Sequence, residues 1–331
     1  MDHQSSRTYS IFSRLVSDEI AIMAILGSIV GLAGGFGAIG FRYLIDFCQS
    51  VSYGSTGELL DVVATVPWYF RIGIPALGGL VVGPIVYFLA REAKGHGVPE
   101  VMEAVAMKYG IIRKRIVLIK SLVSAICIGT GGSVGREGPI VQIGSAVGST
   151  LGQMFKVSEN RMKTLVGCGA AAGIAATFNA PIAGFMFALE IILGEFGVAT
   201  FSPVIISAVT STAVSRHFLG DSPAFIVPAY QLVSPLEFPL YAIMGFFCAL
   251  VGVTFTIVLY RGEDLFDCIK FPEYLKAVLG GLILGAMGLL FPQVLGIGYG
   301  AINLALVQKL SWGLMFLLVI GKILATSITI G

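Results

Sequence analysis

Apolar residues run along this chain in about ten blocks, near 20–49, 71–91, 115–129, 137–152, 162–178, 181–197, 201–219, 236–260, 274–291 and 311–329. Crossing a bilayer core takes about 20 helical residues, and several of these blocks are shorter. Glycine or proline separates them, from Gly129 to Gly138, from Asn179 to Pro181 and at Pro203. Short, interrupted blocks predict helices that stop partway through a membrane. Non-helical backbone at that depth is tolerated only where protein buries it or water reaches it. This is the pattern of a transport protein whose site sits near the midplane.

Composition narrows the class. Hydrophobic residues make up 56% of the chain and charged residues 12%, against roughly 25% charged in soluble domains. Mean hydropathy is +0.90. A soluble globule this apolar could not keep its surface wet, and disorder requires far more charge. The 43 glycines suit close helix packing in lipid. The chain therefore reads as an all-α, polytopic membrane protein. The polar start, 1–19, is expected to be a cytoplasmic segment, because the apolar run after it is too long for a signal-peptide core. A net charge of +2 gives no argument for nucleic acid. The five cysteines are scattered without a C-x-x-C, which points to packing rather than a metal knuckle or disulfides. Two basic connections, 91–115 and 152–163, carry Arg91, Lys94, Lys108, Arg113, Lys114 and Arg115, then Lys156, Arg161 and Lys163. The positive-inside rule makes both cytoplasmic, which is compatible with ordinary solvated loops.

The chain also repeats itself. Leu77-Gly78-Gly79-Leu80 recurs as Leu279-Gly280-Gly281-Leu282, an offset of 202 residues. At the same offset Gly83 meets Gly285, Lys120 meets Lys322, Leu122 meets Leu324, Ile126 meets Ile328 and Gly129 meets Gly331. Gly95-His96-Gly97 falls one place out of step with Gly296-Ile297-Gly298. The ordered series predicts two homologous halves, a first transmembrane repeat over 20–219 and a partial second one over 220–331. Duplicated halves are common in transporters and often inverted; the offset leaves the direction of the second half open. Because Gly331 pairs with Gly129, the chain is expected to be a fragment, its second repeat incomplete.

Three segments could carry chemistry. Gly129-Thr130-Gly131-Gly132-Ser133-Val134-Gly135-Arg136-Glu137-Gly138-Pro139 opens the block that starts at Ile140. Glycines expose backbone N–H groups, and Pro139 suits a first helical turn. A helix start under such a loop attracts anions through free N–H groups and the positive dipole end. Glu137 stands in that mouth, where its carboxylate can occupy the anion position and leave when protonated or displaced. The same residues also read as a tight glycine turn at a membrane surface. The loop lacks G-x-x-x-x-G-K-[ST], and Val134 breaks the dinucleotide spacing. Gly95-His96-Gly97-Val98-Pro99-Glu100 is a second candidate helix start. His96 reads as a loop residue, a proton carrier or a ligand. With only three histidines, a histidine metal site is not expected. The third segment, Phe178-Asn179-Ala180-Pro181-Ile182-Ala183-Gly184, leads into an apolar run containing Glu190. A carboxylate inside an apolar helix is a functional candidate, or else a helix-end residue paired with a base.

G-R-E-G-P-x-V-Q-I-G, G-x-G-x-P and F-N-A-P-x-A-G, on this hydropathy and in this spacing, resemble the CLC family of chloride channels and proton-coupled chloride transporters, in its bacterial type. The resemblance runs from about residue 20 to the end. It implies a homodimer in the bilayer, each subunit with its own pore built from two inverted halves. It also implies halide held by helix starts, backbone amides and hydroxyls, with no cofactor; chloride itself is the substrate. Carried over, Gly135, Arg136, Glu137, Gly138 and Pro139 form the outer anion loop, with Glu137 as the gate. Gly95, His96, Gly97, Val98 and Pro99 form the inner one, and Glu190 lies near the proton path. The chain departs from the family in three places. His96 stands where many members have a serine. Ile191 stands where exchangers carry an internal glutamate, and isoleucine relays no proton. The chain ends before the family's G-x-F-x-P loop and late tyrosine.

The leading expectation is passive or weakly coupled chloride conduction across the cell membrane, gated by Glu137. Proton/chloride exchange through another internal donor is the alternative. Outside that class stand a non-conducting fragment and an intramembrane hydrolase pairing Ser133 with His217.

Overall fold

A computed structural model describes residues 3–89, 97–225, 227–229, 231, 232 and 234–331. Among the described residues there are thirteen α-helices and no strand. In chain order these are α1 (His3–Tyr53), α2 (Leu59–Thr65), α3 (Trp68–Leu89), α4 (Val98–Met107) and α5 (Lys114–Gly129). There follow α6 (Glu137–Met154), α7 (Glu159–Phe178), α8 (Pro181–Phe187) and α9 (Val198–Leu219). The last are α10 (Glu237–Cys268), α11 (Glu273–Leu290), α12 (Tyr299–Leu306) and α13 (Trp312–Ile330). A π-helical turn, Ala188–Leu193, prolongs α8, and a short 3-10 turn, Pro292–Val294, follows α11.

Each apolar block holds a helix, and the breaks fall at glycines and prolines. Asn179 leaves α7 in the left-handed conformation and Pro181 opens α8. Pro203 is accommodated inside α9 instead of breaking it. The polar start does not stand apart as an element, since α1 runs through it from His3. Among the described residues five helical stretches are long and apolar enough to cross a membrane: Glu19–Tyr53, Trp68–Leu89, Glu237–Cys268, Glu273–Leu290 and Trp312–Ile330.

The helices form two compact units that interleave along the chain. The first comprises Met1–Tyr43, Gly95–Ser121 and Glu137–Ala224, the second Leu44–Lys94, Leu122–Arg136 and Phe225–Gly331.

The first unit is built on backbone-to-backbone approach. Gly27, Gly31 and Gly35 form a stripe on α1 against Pro203, Ser207 and Ser211 of α9, both at a spacing of four, so these helices run parallel. A methyl group on these glycines would stand 2.7, 2.5 and 3.1 Å from the three facing carbonyl oxygens. Two hydroxyls of α9 turn the other way and donate to α7, Ser207 to the Cys168 carbonyl at 2.8 Å and Ser215 to the Ala176 carbonyl at 2.6 Å. Helices α6 and α7 pack antiparallel through Gly144 against Gly169 and Gly148 against the Leu165 carbonyl. Lipid offers no hydrophobic drive for helices to associate, so small residues that permit van der Waals contact do the joining. Around these seams Val30, Val101, Val141, Leu165, Leu189 and Val204 are fully buried.

In the second unit α3 and α11 carry the repeated Leu-Gly-Gly-Leu, and they pack on each other. Gly79 lies against Ala277, the residue 202 places after Pro75, and Gly281, the counterpart of Gly79, lies against Pro75. Gly83 lies against Tyr274, and its counterpart Gly285 against Ile72, which is Tyr274's own counterpart. Contacts that exchange partners in this way are those of a two-fold axis. Because partner numbers fall as Gly79 and Gly83 rise, the helices are antiparallel. A two-fold axis that reverses a spanning helix lies in the membrane plane, the relation of an inverted repeat.

Candidate anion site

In the first unit the starts of α4 and α6 meet. Gly97 caps α4 with φ 87° and ψ −63°, and Pro99 occupies the first turn, where its missing N–H costs nothing. A methyl group on Gly97 would lie 2.8–2.9 Å from the backbone of Gly138, the second residue of α6. Only glycine fits there, on grounds of both φ and space. Glu137 begins α6, half-buried, with Gly138 and Pro139 beside it and Ile140 fully buried below. Two helix starts in contact direct first-turn N–H groups and two positive dipole ends toward one locality. Val98 and Pro99 therefore lie at this junction, whereas Gly95 and His96 lie outside the described residues.

The rest of the outer loop belongs to the second unit and is firmly pinned there. Gly131, at φ 101°, donates to the Ile128 carbonyl at 3.0 Å and accepts from the Gly296 amide at 3.0 Å. The Tyr53 hydroxyl donates to the Thr130 carbonyl at 3.1 Å. Ser133 is fully buried; its amide donates to the Thr329 hydroxyl at 3.2 Å, and its hydroxyl lies 3.5 Å from that of Thr326. Gly135 is exposed, and the Arg136 guanidinium lies over the Tyr299 ring, 4.9 Å from its centroid, with Nε buried and unpaired.

Glu190 lies in the π-helical turn and is exposed, as is Ile191 beside it. His217 is exposed at the end of α9, its ring against Phe218 at 5.1 Å. Ser133 is thus engaged with threonine hydroxyls in one unit and His217 with an aromatic in the other. Among the described residues no cluster of His, Cys, Asp and Glu could hold a metal ion. Of the basic residues in the two connections, Arg91 and Lys94 lie outside the described residues. Three others are paired: Lys108 with Glu103 at 2.8 Å, Arg161 with Glu19 at 2.6 Å and Lys163 with Glu159 at 3.1 Å.

One polar cluster is not announced by the sequence. Lys120 of α5 and Gln142 of α6 both donate to Oε2 of Glu100, in the first turn of α4, at 2.6 and 2.9 Å. A lysine inside the 115–129 block is its one local signal, and the spacing from 100 to 120 to 142 follows no local period.

An all-helical chain with spanning helices, inverted repeat helices and converging helix starts is a membrane protein of the transporter class. A family described as voltage gated chloride channel matches residues 78–331, and the chain belongs to that family. It is 33% identical over 313 residues to a ClcB-like protein described as a putative chloride channel protein from Ralstonia nicotianae, covering 93% of this chain and 73% of the other. It is 30% identical to the H(+)/Cl(-) exchange transporter ClcA of Yersinia pestis, covering 94% of this chain and 66% of the other. It is 30% identical to chloride channel protein CLC-e of Arabidopsis thaliana, of which it spans about half, 47%. Among solved structures, a slow cyanobacterial Cl-/H+ antiporter superposes with a TM-score of 0.80 at 24% identity, over 93% of this chain and 73% of that one. A CLC-type fluoride/proton antiporter gives 0.77 at 21% identity, over 93% and 76%. At these identities the structures establish the fold.

Proposed function

We propose that this chain transports chloride across a membrane, in a channel-like or weakly coupled manner, with the anion held where α4 and α6 begin and Glu137 as gate. The observation that carries this reading is the contact of Gly97 with Gly138. It sets two helix starts against each other, with Glu137 the first residue of α6. A halide is small, monovalent and weakly hydrated for an anion, so amide N–H groups and dipole ends suffice to hold it without a lysine or metal. The carboxylate of Glu137 competes for those amides, and protonation releases it. By the family resemblance, Pro139 belongs beside Glu137 in the outer anion loop and Val98 and Pro99 in the inner one. His96 would supply an N–H in place of a hydroxyl, and a charge once protonated.

The test is anion flux from proteoliposomes. Glu137→Gln is expected to leave flux constitutive and largely independent of pH. Flux that keeps its wild-type pH profile refutes the gate. The related exchange transporters favour proton/chloride exchange as a second reading, with Glu190 near the proton path. Ile191 opposes it, because no proton moves through a hydrocarbon side chain. In a pH gradient, channel-like conduction gives a reversal potential set by chloride alone, whereas tight exchange shifts it with pH. The reading extends to a homodimer in the cell membrane, with 1–19 and the connections 91–115 and 152–163 on the cytoplasmic side. It also keeps 20–219 as the first repeat and 220–331 within the second.

A further inference from the structure

Helices α4, α5 and α6 enclose a charged pair that the proposed anion path does not use. Lys120 is 5% exposed, yet it lies in a short apolar helix and reaches the Glu100 carboxylate at 2.6 Å. Gln142, also 5% exposed, donates to the same oxygen, and its own Oε1 has no protein partner. Buried ion pairs are poor sources of stability, since desolvation consumes most of the Coulomb gain. Inside a membrane they are rarer still and mark function. This one is also well placed. Glu100 is three residues past Gly97 and Gln142 four past Gly138, about one helical turn, or roughly 5.4 Å of rise, from each helix start.

We infer that Glu100 and Lys120 set the anion affinity of the α4–α6 junction. The inference rests on the anion reading above. The two helix starts together offer about one positive charge's worth of dipole. Lys120, 2.6 Å from the Glu100 carboxylate, adds a full cation, and Glu100 offsets it. Lys120 is buried and the Glu100 side chain is 27% exposed, so solvent screens the lysine little and the carboxylate only in part. The balance keeps a halide bound loosely enough to leave, which transport requires. Glu100 also fastens α4 to α5 and α6, so it is a positioning residue as well, and the two roles make different predictions. A mere fastening weakens the site whichever partner is removed. A charge balance moves the site in opposite directions.

Calorimetric titration of chloride into the purified full chain separates them. Glu100→Gln keeps a polar partner for Gln142 but leaves Lys120 unbalanced, and chloride should bind about tenfold tighter. Lys120→Met leaves the carboxylate unbalanced, and binding should weaken about tenfold. The double variant Glu100→Gln with Lys120→Met should return close to wild type, which also guards against either single variant failing to elute as a folded species. Two single variants that shift the same way, or not at all, overturn the balance while leaving the anion site standing. A wild type that takes up no chloride, or binds it identically when Gly97 is changed to Ala, overturns the anion reading itself.

Discussion

Gly97 does two things that no other residue could do together. Its φ of 87° lies in the left-handed region, and its α-carbon faces Gly138 at a distance that excludes a methyl group. Gly97→Ala incurs roughly 1–2 kcal/mol of backbone strain and must push α4 off α6. Halide affinity measured by calorimetry should fall at least tenfold, while far-UV circular dichroism stays that of a helical protein. Unchanged affinity would mean that the two helix starts need not touch. Glu137 depends on its neighbours in the same way, since a carboxylate at a helix start gates only if an anion wants the same amides. Its residue type was legible from G-R-E-G-P; its closeness to Gly97 was not, since 40 residues separate the two positions.

At the scale of elements, the glycine stripes decide which helices can be neighbours. On α1 the stripe of Gly27, Gly31 and Gly35 admits the backbone of α9, and the hydroxyls of Ser207 and Ser215, facing away, serve α7. Placing valine at Gly31 forces its methyls into the Ser207 carbonyl and should cost about 1–3 kcal/mol. The same change at Gly40, where nothing lies within 4 Å of the place a β-carbon would take, should be neutral or slightly stabilising, since valine is the better helix former. Thermal unfolding in detergent compares the two; equal losses would show that the stripe is not a packing seam. The ends of elements were easier to read than their partners. Gly-x-x-x-Gly spacing announces a close approach without saying to what.

For the whole chain, the leading fact is the exchange of contacts between α3 and α11. If a two-fold axis relates the repeats, symmetric positions carry matched loads. Gly79→Val and Gly281→Val should each lower stability by nearly the same amount, within about 0.5 kcal/mol, in thermal unfolding. A large difference would mean that the resemblance of the two contacts is superficial. Lys120 and Lys322 show that the symmetry is not complete. Lys322 donates to the carbonyls of Gly296, at 2.6 Å, and Val294, at 3.1 Å, just ahead of α12. Lys120, its counterpart, meets the carboxylate of Glu100 instead, where the second repeat, one place out of step here, has Ala301. The repeated scaffold is thus retained and the charge balance is specific to the first half.

Hydropathy alone was enough to establish a membrane-spanning helical chain, because continuous apolar blocks cannot be wetted and, unlike the alternating strands of a barrel, satisfy their backbone in lipid as helices. Glycine and proline marked where the helices break, and the 202-residue offset exposed the duplication. The meeting of α4 with α6, the antiparallel pairing of α3 with α11 and the burial of Lys120 beside Glu100 and Gln142 were settled only by tertiary structure. Each depends on which surfaces come within a few ångströms, and contacts between distant stretches leave no periodic trace in a single sequence.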